Sequence, residues 1–330
     1  MPSGGLGKAG GLIKELRLEG TEIRLREPLK GHTSLGIGGR AEVYARPGDT
    51  GALARLLAFD WQMPVCFLGG GTNLLVRDGE IRALFISTAG LRGIEVLERG
   101  EKGAGAVISV RAGEPLKSVL AFCMKNGFSG LEPLAGIPGS LGGAVAGNAG
   151  AHGLEIGDVI RRVHVMGEKG GTMALTGEQM GFVYRGAAAL AGPSGGPSKG
   201  PSRGRGASGL VIKAELALDR TDPAEIRALM LRNFGMKKKT QPLGARSAGC
   251  VFKNPGGRSA GSLIDEAGLK GMRAGDIEVS GLHANFFINR GEGSADDFLR
   301  LMDRVADEVE KRFGVRLAPE IRIFRDGFER

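Results

Sequence analysis

The chain has 330 residues and a formal net charge of +9, from 45 Lys and Arg against 36 Asp and Glu. That length exceeds what one hydrophobic core usually serves, so two or three subdomains are expected, and no apolar run reaches the ~18 residues of a membrane helix. Basic residues are scattered, with Lys237-Lys238-Lys239 the one short run, and aromatics make up 5%. Single-strand nucleic-acid binders interleave basic and stacking residues, so the charge is read instead as a solvated surface or a site for anions.

In chain order, residues 11–19 read as a short helix or a tail, without the apolar stretch of a secretory signal. Ala41–Arg46 alternates as a strand. A Pro47–Thr50 turn leads into a helix over 51–60, and Pro64–Leu68 and Ala83–Ser87 are apolar strands. Val107–Arg111 is a strand, and Pro115–Asn126 a helix with Leu116, Val119, Leu120 and Cys123 on one face and Gly127 as its stop. Val159–Met166 and Leu210–Leu218 are strands. Between them, residues 191–209 are so rich in Gly, Pro and Ser that disorder or a mobile loop is expected. Asp222 caps a helix over Pro223–Phe234, and Ser259–Ala267 is a shorter one. Residues 294–313 form the clearest helix, capped by Ser294, with a core stripe of Phe298, Leu301, Met302, Val305, Val309 and Phe313. Gly314 ends it, and Val315–Phe324 reads as a strand.

Two glycine-rich stretches interrupt this pattern. After the 64–68 strand comes Gly69-Gly70-Gly71-Thr72-Asn73, which presents N–H groups at a strand end, a seat for a pyrophosphate. It is neither the dinucleotide fingerprint nor a P-loop, since no Walker lysine follows. The second, Leu134–Gly153, carries glycines at 136, 139, 142, 143, 147 and 150 between small apolar residues. A glycine inside a helix costs about 1 kcal/mol relative to alanine, so a core helix is not expected there. A backbone cradle for an anion is expected, with a tightly packed Gly/Ala helix as the alternative. Two such loops suggest a large cofactor with a diphosphate in its middle.

Pro64–Asp78 and Leu134–Gly153 resemble the two flavin-binding loops of the UDP-N-acetylenolpyruvoylglucosamine reductase (MurB) family. Six further stretches are similar to family motifs and occur in family order: 33–39 (TSLGIGG), Tyr184-Arg185, 240–242 (TQP), 247–255 (SAGCVFKNP), 283–286 (HANF) and 319–322 (PEIR). The resemblance implies an α+β fold: a two-subdomain FAD-binding unit of the PCMH, or vanillyl-alcohol-oxidase, type plus a C-terminal α+β substrate-binding domain. The corresponding boundaries are an extension at 1–30, the FAD unit at 31–220 (subdomains 31–92 and 93–220) and the substrate domain at 221–330. It also implies FAD as cofactor, NADPH as co-substrate, and reduction of UDP-N-acetylglucosamine enolpyruvate to UDP-N-acetylmuramate, with hydride passing from flavin N5 to C3. The cofactor contacts it implies are Gly69, Gly70, Gly71, Thr72, Asn73, Leu74, Gly136, Pro138, Gly139, Ser140, Gly143, Ala146, Gly147 and Asn148. The substrate contacts are Tyr184, Lys253, Asn254, Gln241 and Arg246.

The catalytic group implied is Cys250, Arg185 and Glu320. On residue type alone Cys250 reads as a small buried hydrophobe, and Glu320 as a solvent-facing strand residue beside core-facing Ile321 and Ile323. The family's proton donor at the Cys250 position is usually serine. A thiol of ordinary pKa, about 8.5, is mostly protonated at pH 7 and is chemically able to donate. A guanidinium suits the enolate that develops once hydride has added, and a second group stabilises its other oxygen. Where the family usually has a serine shortly after Tyr-Arg, this chain has Gly186-Ala187-Ala188, which bears on how Arg185 is held. Cys66, Cys123 and Cys250 lie far apart, and His32, His152, His164 and His283 have no ligand spacing, so neither a disulfide frame nor a metal site is expected. His283 reads as structural. A cytoplasmic monomer is expected, without nucleic-acid or membrane partners. The rivals are an oxidase of the same flavoprotein fold and a basic nucleic-acid-binding protein.

Overall fold

The computed structural model describes residues 10–11, 13–17, 20–100, 105–167, 169–190 and 209–324. Most of the 191–209 insert, and parts of the 1–30 extension including residues 12, 18 and 19, lie outside the described residues. The chain forms two compact units. The first comprises residues 1–26, 42–70 and 82–235, and the second residues 27–41, 71–81 and 236–330. Expected boundaries followed the chain in contiguous stretches. The units found are discontinuous, because Leu74–Val76 pairs in parallel with Arg322–Phe324 near the opposite end of the sequence.

Unit 1 holds two cores. A four-stranded sheet, ordered 22–28, 40–46, 80–87 and 65–68, carries one of them. Leu53 and Leu56, from the helix Thr50–Ala58, pack there with Val43, Leu84, Ile86 and Trp61, and so do Ile13 and Leu16 from the N-terminal stretch. The other core lies against a sheet ordered 172–176, 160–166, 210–220, 106–111 and 94–99, antiparallel throughout. The helix Leu116–Asn126 buries Leu116, Val119, Leu120 and Cys123, and Gly127 ends it at φ 70°. Burial and the nearby Glu132 carboxylate push the Cys123 thiol up to about 12, so it is an inert core residue.

Unit 2 is built on the helix Ala295–Phe313, which buries Phe298, Leu301, Met302, Val305 and Val309. A reciprocal cap starts it: Asp297 N–H donates to Ser294 Oγ at 3.0 Å, and Ser294 N–H to the Asp297 carboxylate at 3.0 Å. The Asp78 carboxylate accepts a further end N–H, that of Ala295, at 2.8 Å. A three-stranded antiparallel sheet (273–274, 277–279 and 287–289) and the helix Ala260–Glu266 complete this core.

Three elements differ from expectation. Leu141–Ala146, inside the second glycine-rich stretch, is a buried helix capped by Ser140. There Gly142 lies so close to Ala112 that an added Cβ would sit 2.7 Å from the alanine's own, so close approach outweighs helix propensity. The helix beginning at Pro223 runs on to Thr240, through Gly235. Of the expected strand Val315–Phe324 only Arg322–Phe324 joins a ladder, while Ala318–Glu320 meet the 251–253 segment in an isolated bridge.

Candidate active site

Within unit 1 the two glycine-rich loops touch. A Cβ on Gly70 would stand 2.6 Å from the Gly139 Cα, and one on Gly69 would stand 2.9 Å from the Ser140 Oγ. The close pairing is therefore open only to glycine. Gly136 and Gly139 take φ of 84° and 112°, which turn the chain between the 3-10 turn at 132–134 and the capped helix. The N–H groups of Gly70, Gly139 and Ser140 donate no backbone hydrogen bond among the described residues. Gly143 is exposed on its helix, and a Cβ there would meet only the Ser140 Oγ, at 3.5 Å. No neighbour within the protein requires that glycine, although alanine would suit a helix better by about 1 kcal/mol. A bare backbone surface with undirected N–H donors fits the pyrophosphate and ring of a dinucleotide cofactor.

The same unit carries Tyr184 and Arg185 at the tip of a hairpin, Phe182–Val183 against Gly186–Ala187. Arg185 has φ 59°, a left-handed conformation in which a residue with a Cβ is strained, and its guanidinium lies 5.0 Å from the centre of the Tyr184 ring. Asn148 is 1% exposed. Its amide donates to the Glu155 carboxylate and to the Val183 carbonyl (3.2 Å), while its oxygen accepts from Gly157 N–H (3.1 Å). The side chain of this expected cofactor contact thus has both its donor and its acceptor group engaged within the protein. Ala146 ends the short helix, and Gly147 N–H closes it on the Gly143 carbonyl at 3.0 Å.

Within unit 2, Cys250 and Glu320 are brought together. Cys250 bridges Phe286 and Phe252 bridges Pro319, while Glu320 N–H donates to the Val251 carbonyl at 2.7 Å. Asn73 joins them, its amide donating to the Glu320 carbonyl at 3.2 Å and its carbonyl accepting from Arg322 N–H at 3.2 Å. Cys250 and Glu320 are half-buried, and Ile321 and Ile323 turn inward as the alternation predicts. Leu74 is buried in the parallel strand pair. Ser34 knits the stretch: its N–H donates to the Gly71 carbonyl (3.0 Å) and its hydroxyl to the Ser247 carbonyl (2.6 Å), three residues before Cys250. A Cβ on Gly71 would collide with the His32 carbonyl, 2.0 Å away.

Asn285, 2% exposed, clamps the backbone beyond Cys250 by accepting from Phe252 N–H (2.9 Å) and donating to the Phe252 carbonyl (2.8 Å). Sequence reasoning gave no role to Ser34, Asn285 or the Asn148–Val183 bond. The available signal was an amide inside an apolar run, Asn285 in HANFFIN, which when buried must be satisfied. His283 beside it is structural as expected: burial lowers its pKa, and its ring meets Phe286 edge-on at 4.7 Å.

Among the expected substrate contacts, Arg246 donates to the Gly291 carbonyl at 2.6 Å and packs on Gly36. The Asn254 oxygen accepts from Ala260 N–H at 3.0 Å, and Asn254 and Lys253 are both exposed. Gln241 N–H donates to the Lys237 carbonyl at 2.8 Å. Of the three-lysine run, Lys237 is buried, and desolvation lowers its pKa to about 8. Among the described residues no group of three or more His, Cys, Asp or Glu side chains is arranged to hold a metal ion.

Residues 241–324 match the model of the UDP-N-acetylenolpyruvoylglucosamine reductase C-terminal domain, and residues 41–176 match that of an FAD binding domain. The UDP-N-acetylenolpyruvoylglucosamine reductase 2 of Symbiobacterium thermophilum is 38% identical over 304 residues, covering 92% of each chain. That of Lactococcus lactis subsp. cremoris is 38% identical over 317 residues, covering 94% of this chain and 99% of its own. The crystal structure of the Thermus caldophilus reductase superposes with a TM-score of 0.73 at 33% identity, over 92% of this chain and 99% of that one. The chain belongs to the UDP-N-acetylenolpyruvoylglucosamine reductase family. It is accordingly an FAD-dependent oxidoreductase of peptidoglycan precursor synthesis, with the α+β architecture expected, and NADPH is its co-substrate. The glycine surface of unit 1, within the span matched as FAD binding, is suited to that cofactor.

Proposed function

We propose that the protein reduces UDP-N-acetylglucosamine enolpyruvate to UDP-N-acetylmuramate, with Cys250, Arg185 and Glu320 as its catalytic residues. The observation that supports the reading is the backbone pairing of the 250–252 segment with Pro319-Glu320, which puts the Cys250 and Glu320 positions on neighbouring segments of unit 2. FAD, when bound, supplies the hydride that NADPH replenishes. The chain's own part is to hold that cofactor and to settle the charge left on the substrate. Once C3 has accepted hydride, negative charge develops on C2 and its carboxylate. The Arg185 guanidinium, permanently protonated, stabilises that enolate, and Glu320 stabilises its second oxygen. Cys250 then gives its proton to C2.

Residues 69–74, 136, 138–140, 143 and 146–147 hold the cofactor in this reading. Tyr184, Gln241, Arg246, Lys253 and Asn254 hold the UDP-sugar. All these ligands are anionic, in keeping with a chain of net charge +9. No helix among the described residues is long and apolar enough to cross a membrane, and we take the enzyme to act as a cytoplasmic monomer without nucleic-acid partners.

The test separates the two half-reactions. Replacing a general acid typically costs about 10²–10⁴-fold, so Cys250→Ala should slow oxidation of the reduced enzyme by the enolpyruvyl sugar by that order. Reduction by NADPH should change only a few-fold, and Cys250→Ser should restore most of the loss. Equal losses in both halves would remove Cys250 from the proton transfer.

A further inference from the structure

We propose that Asn148 is a positioning residue, which sets the hairpin tip carrying Arg185 by gripping the Val183 carbonyl; the inference rests on the catalytic role given to Arg185 above. The hairpin is anchored at its base, where Ala187 is buried and Phe182 packs on the core, while two residues towards its tip are exposed. Val183 is 56% exposed and Tyr184 49%, and the hairpin ladder is two residue pairs long, too short to be stable alone. Gly186 and Ala187 offer no side-chain hydrogen bond. Yet Arg185 is held at φ 59°, a strained setting that persists only where the surroundings enforce it.

Asn148 provides that enforcement. It is itself at φ 41°, which asparagine tolerates better than most residues, and it stands just beyond the glycine-rich helix. Its three side-chain bonds reach Glu155, Gly157 and the residue immediately before the Tyr184-Arg185 tip. Gly157 fits this junction closely: a Cβ there would stand 2.8 Å from the Phe182 ring and 3.0 Å from the Asn148 oxygen. One amide therefore ties the end of the cofactor stretch to the base of the arginine turn. Both of its protons and its oxygen are used, so no isosteric residue can replace it.

The bonds can be separated. Asn148→Asp removes both donors and sets a carboxylate against Glu155. Adding Glu155→Gln restores the 148–155 bond with its direction reversed and keeps the bond from Gly157, but leaves the Val183 carbonyl without its amide donor. In N148D/E155Q we expect the melting temperature and FAD affinity to recover from their values in N148D. Amide exchange of the apoprotein over 182–187 should stay faster than wild type, and reduction of the enolpyruvyl sugar should fall at least tenfold more than reduction by NADPH. Wild-type exchange over 182–187 together with a wild-type sugar half-reaction would overturn the proposal. Should the double variant not fold, Asn148→Ala decides: a selective loss of the sugar half-reaction supports positioning, and equal losses in both halves overturn it. Arg185→Ala checks the reading beneath. If it leaves the sugar half-reaction intact, the catalytic role of Arg185 fails, while the exchange measurement still judges the grip of Asn148 on the hairpin.

Discussion

Lys237 shows how one residue takes its properties from burial rather than from its place in a charged run. Lys238 and Lys239 are exposed, but Lys237 is turned inward, and desolvation lowers its pKa to about 8 from an ordinary value near 10.4. Below pH 8 the lysine is charged in both folded and unfolded states, and the cost of burying that charge is fully present. Between pH 8 and about 10.4 the folded state gives up the proton while the unfolded state keeps it, so stability rises with pH across that window. In Lys237→Met the rise in stability between pH 8 and about 10 should therefore be smaller than in the wild-type chain, read as melting temperature against pH. An unchanged rise would exclude the lysine as its source. Cys250 is the contrasting case, because nothing in its side chain distinguishes it from Cys66 or Cys123. The role proposed for it rests on its place in the chain, in the segment that pairs with Pro319-Glu320.

At the scale of elements, the six-residue helix Leu141–Ala146 separates two uses of glycine. Gly142 is needed by the protein itself, because a Cβ there would strike Ala112 at 2.7 Å. Gly143, on the exposed side, has no such neighbour. Gly142→Ala should destabilise the apoprotein by roughly 1–3 kcal/mol, the range for overpacking. Gly143→Ala should leave it as stable or slightly more so, by up to about 1 kcal/mol from helix propensity, yet weaken FAD binding in a fluorescence titration. Unchanged FAD affinity in G143A would show that the cofactor does not approach this face. The capped helix Ala295–Phe313 was legible from the sequence almost to the residue, because Ser294, Asp297, its apolar stripe and Gly314 are all local signals. The glycine helix was legible only as the alternative to a backbone cradle, since what decides it is close approach to Ala112 and not the propensity of its own residues.

For the whole molecule, the cofactor is expected to act as a folding partner. A ligand bound to the native state alone adds about 2.7 kcal/mol at a hundred times its Kd. That corresponds to a rise of several degrees in melting temperature for a chain above 150 residues, at roughly 2–4 °C per kcal/mol. FAD added to the apoprotein should produce such a rise in a dose-dependent way, and bound protein should show flavin absorption in the visible. A melting temperature indifferent to FAD at saturating concentration would argue against a preformed cofactor surface.

The division into units was the least legible feature. Contacts gather residues 27–41 and 71–81 with the C-terminal segment, through the parallel pairing of Leu74–Val76 with Arg322–Phe324 and the bonds from Ser34 to Gly71 and Ser247. Such pairings join positions about 40 to 250 apart, and no periodicity or cap records them. By itself the sequence determined what depends on near neighbours: the capped helices, the apolar strands, the glycine loops and the ordered motifs that mark the family. Only the tertiary structure decided which carbonyl Asn148 grips, that the segment of Glu320 pairs with that of Cys250, and which of three adjacent lysines is buried. The reason is physical. Local signals lie within one or two turns of chain, whereas hydrogen bonds and burial depend on which distant segments fold against each other.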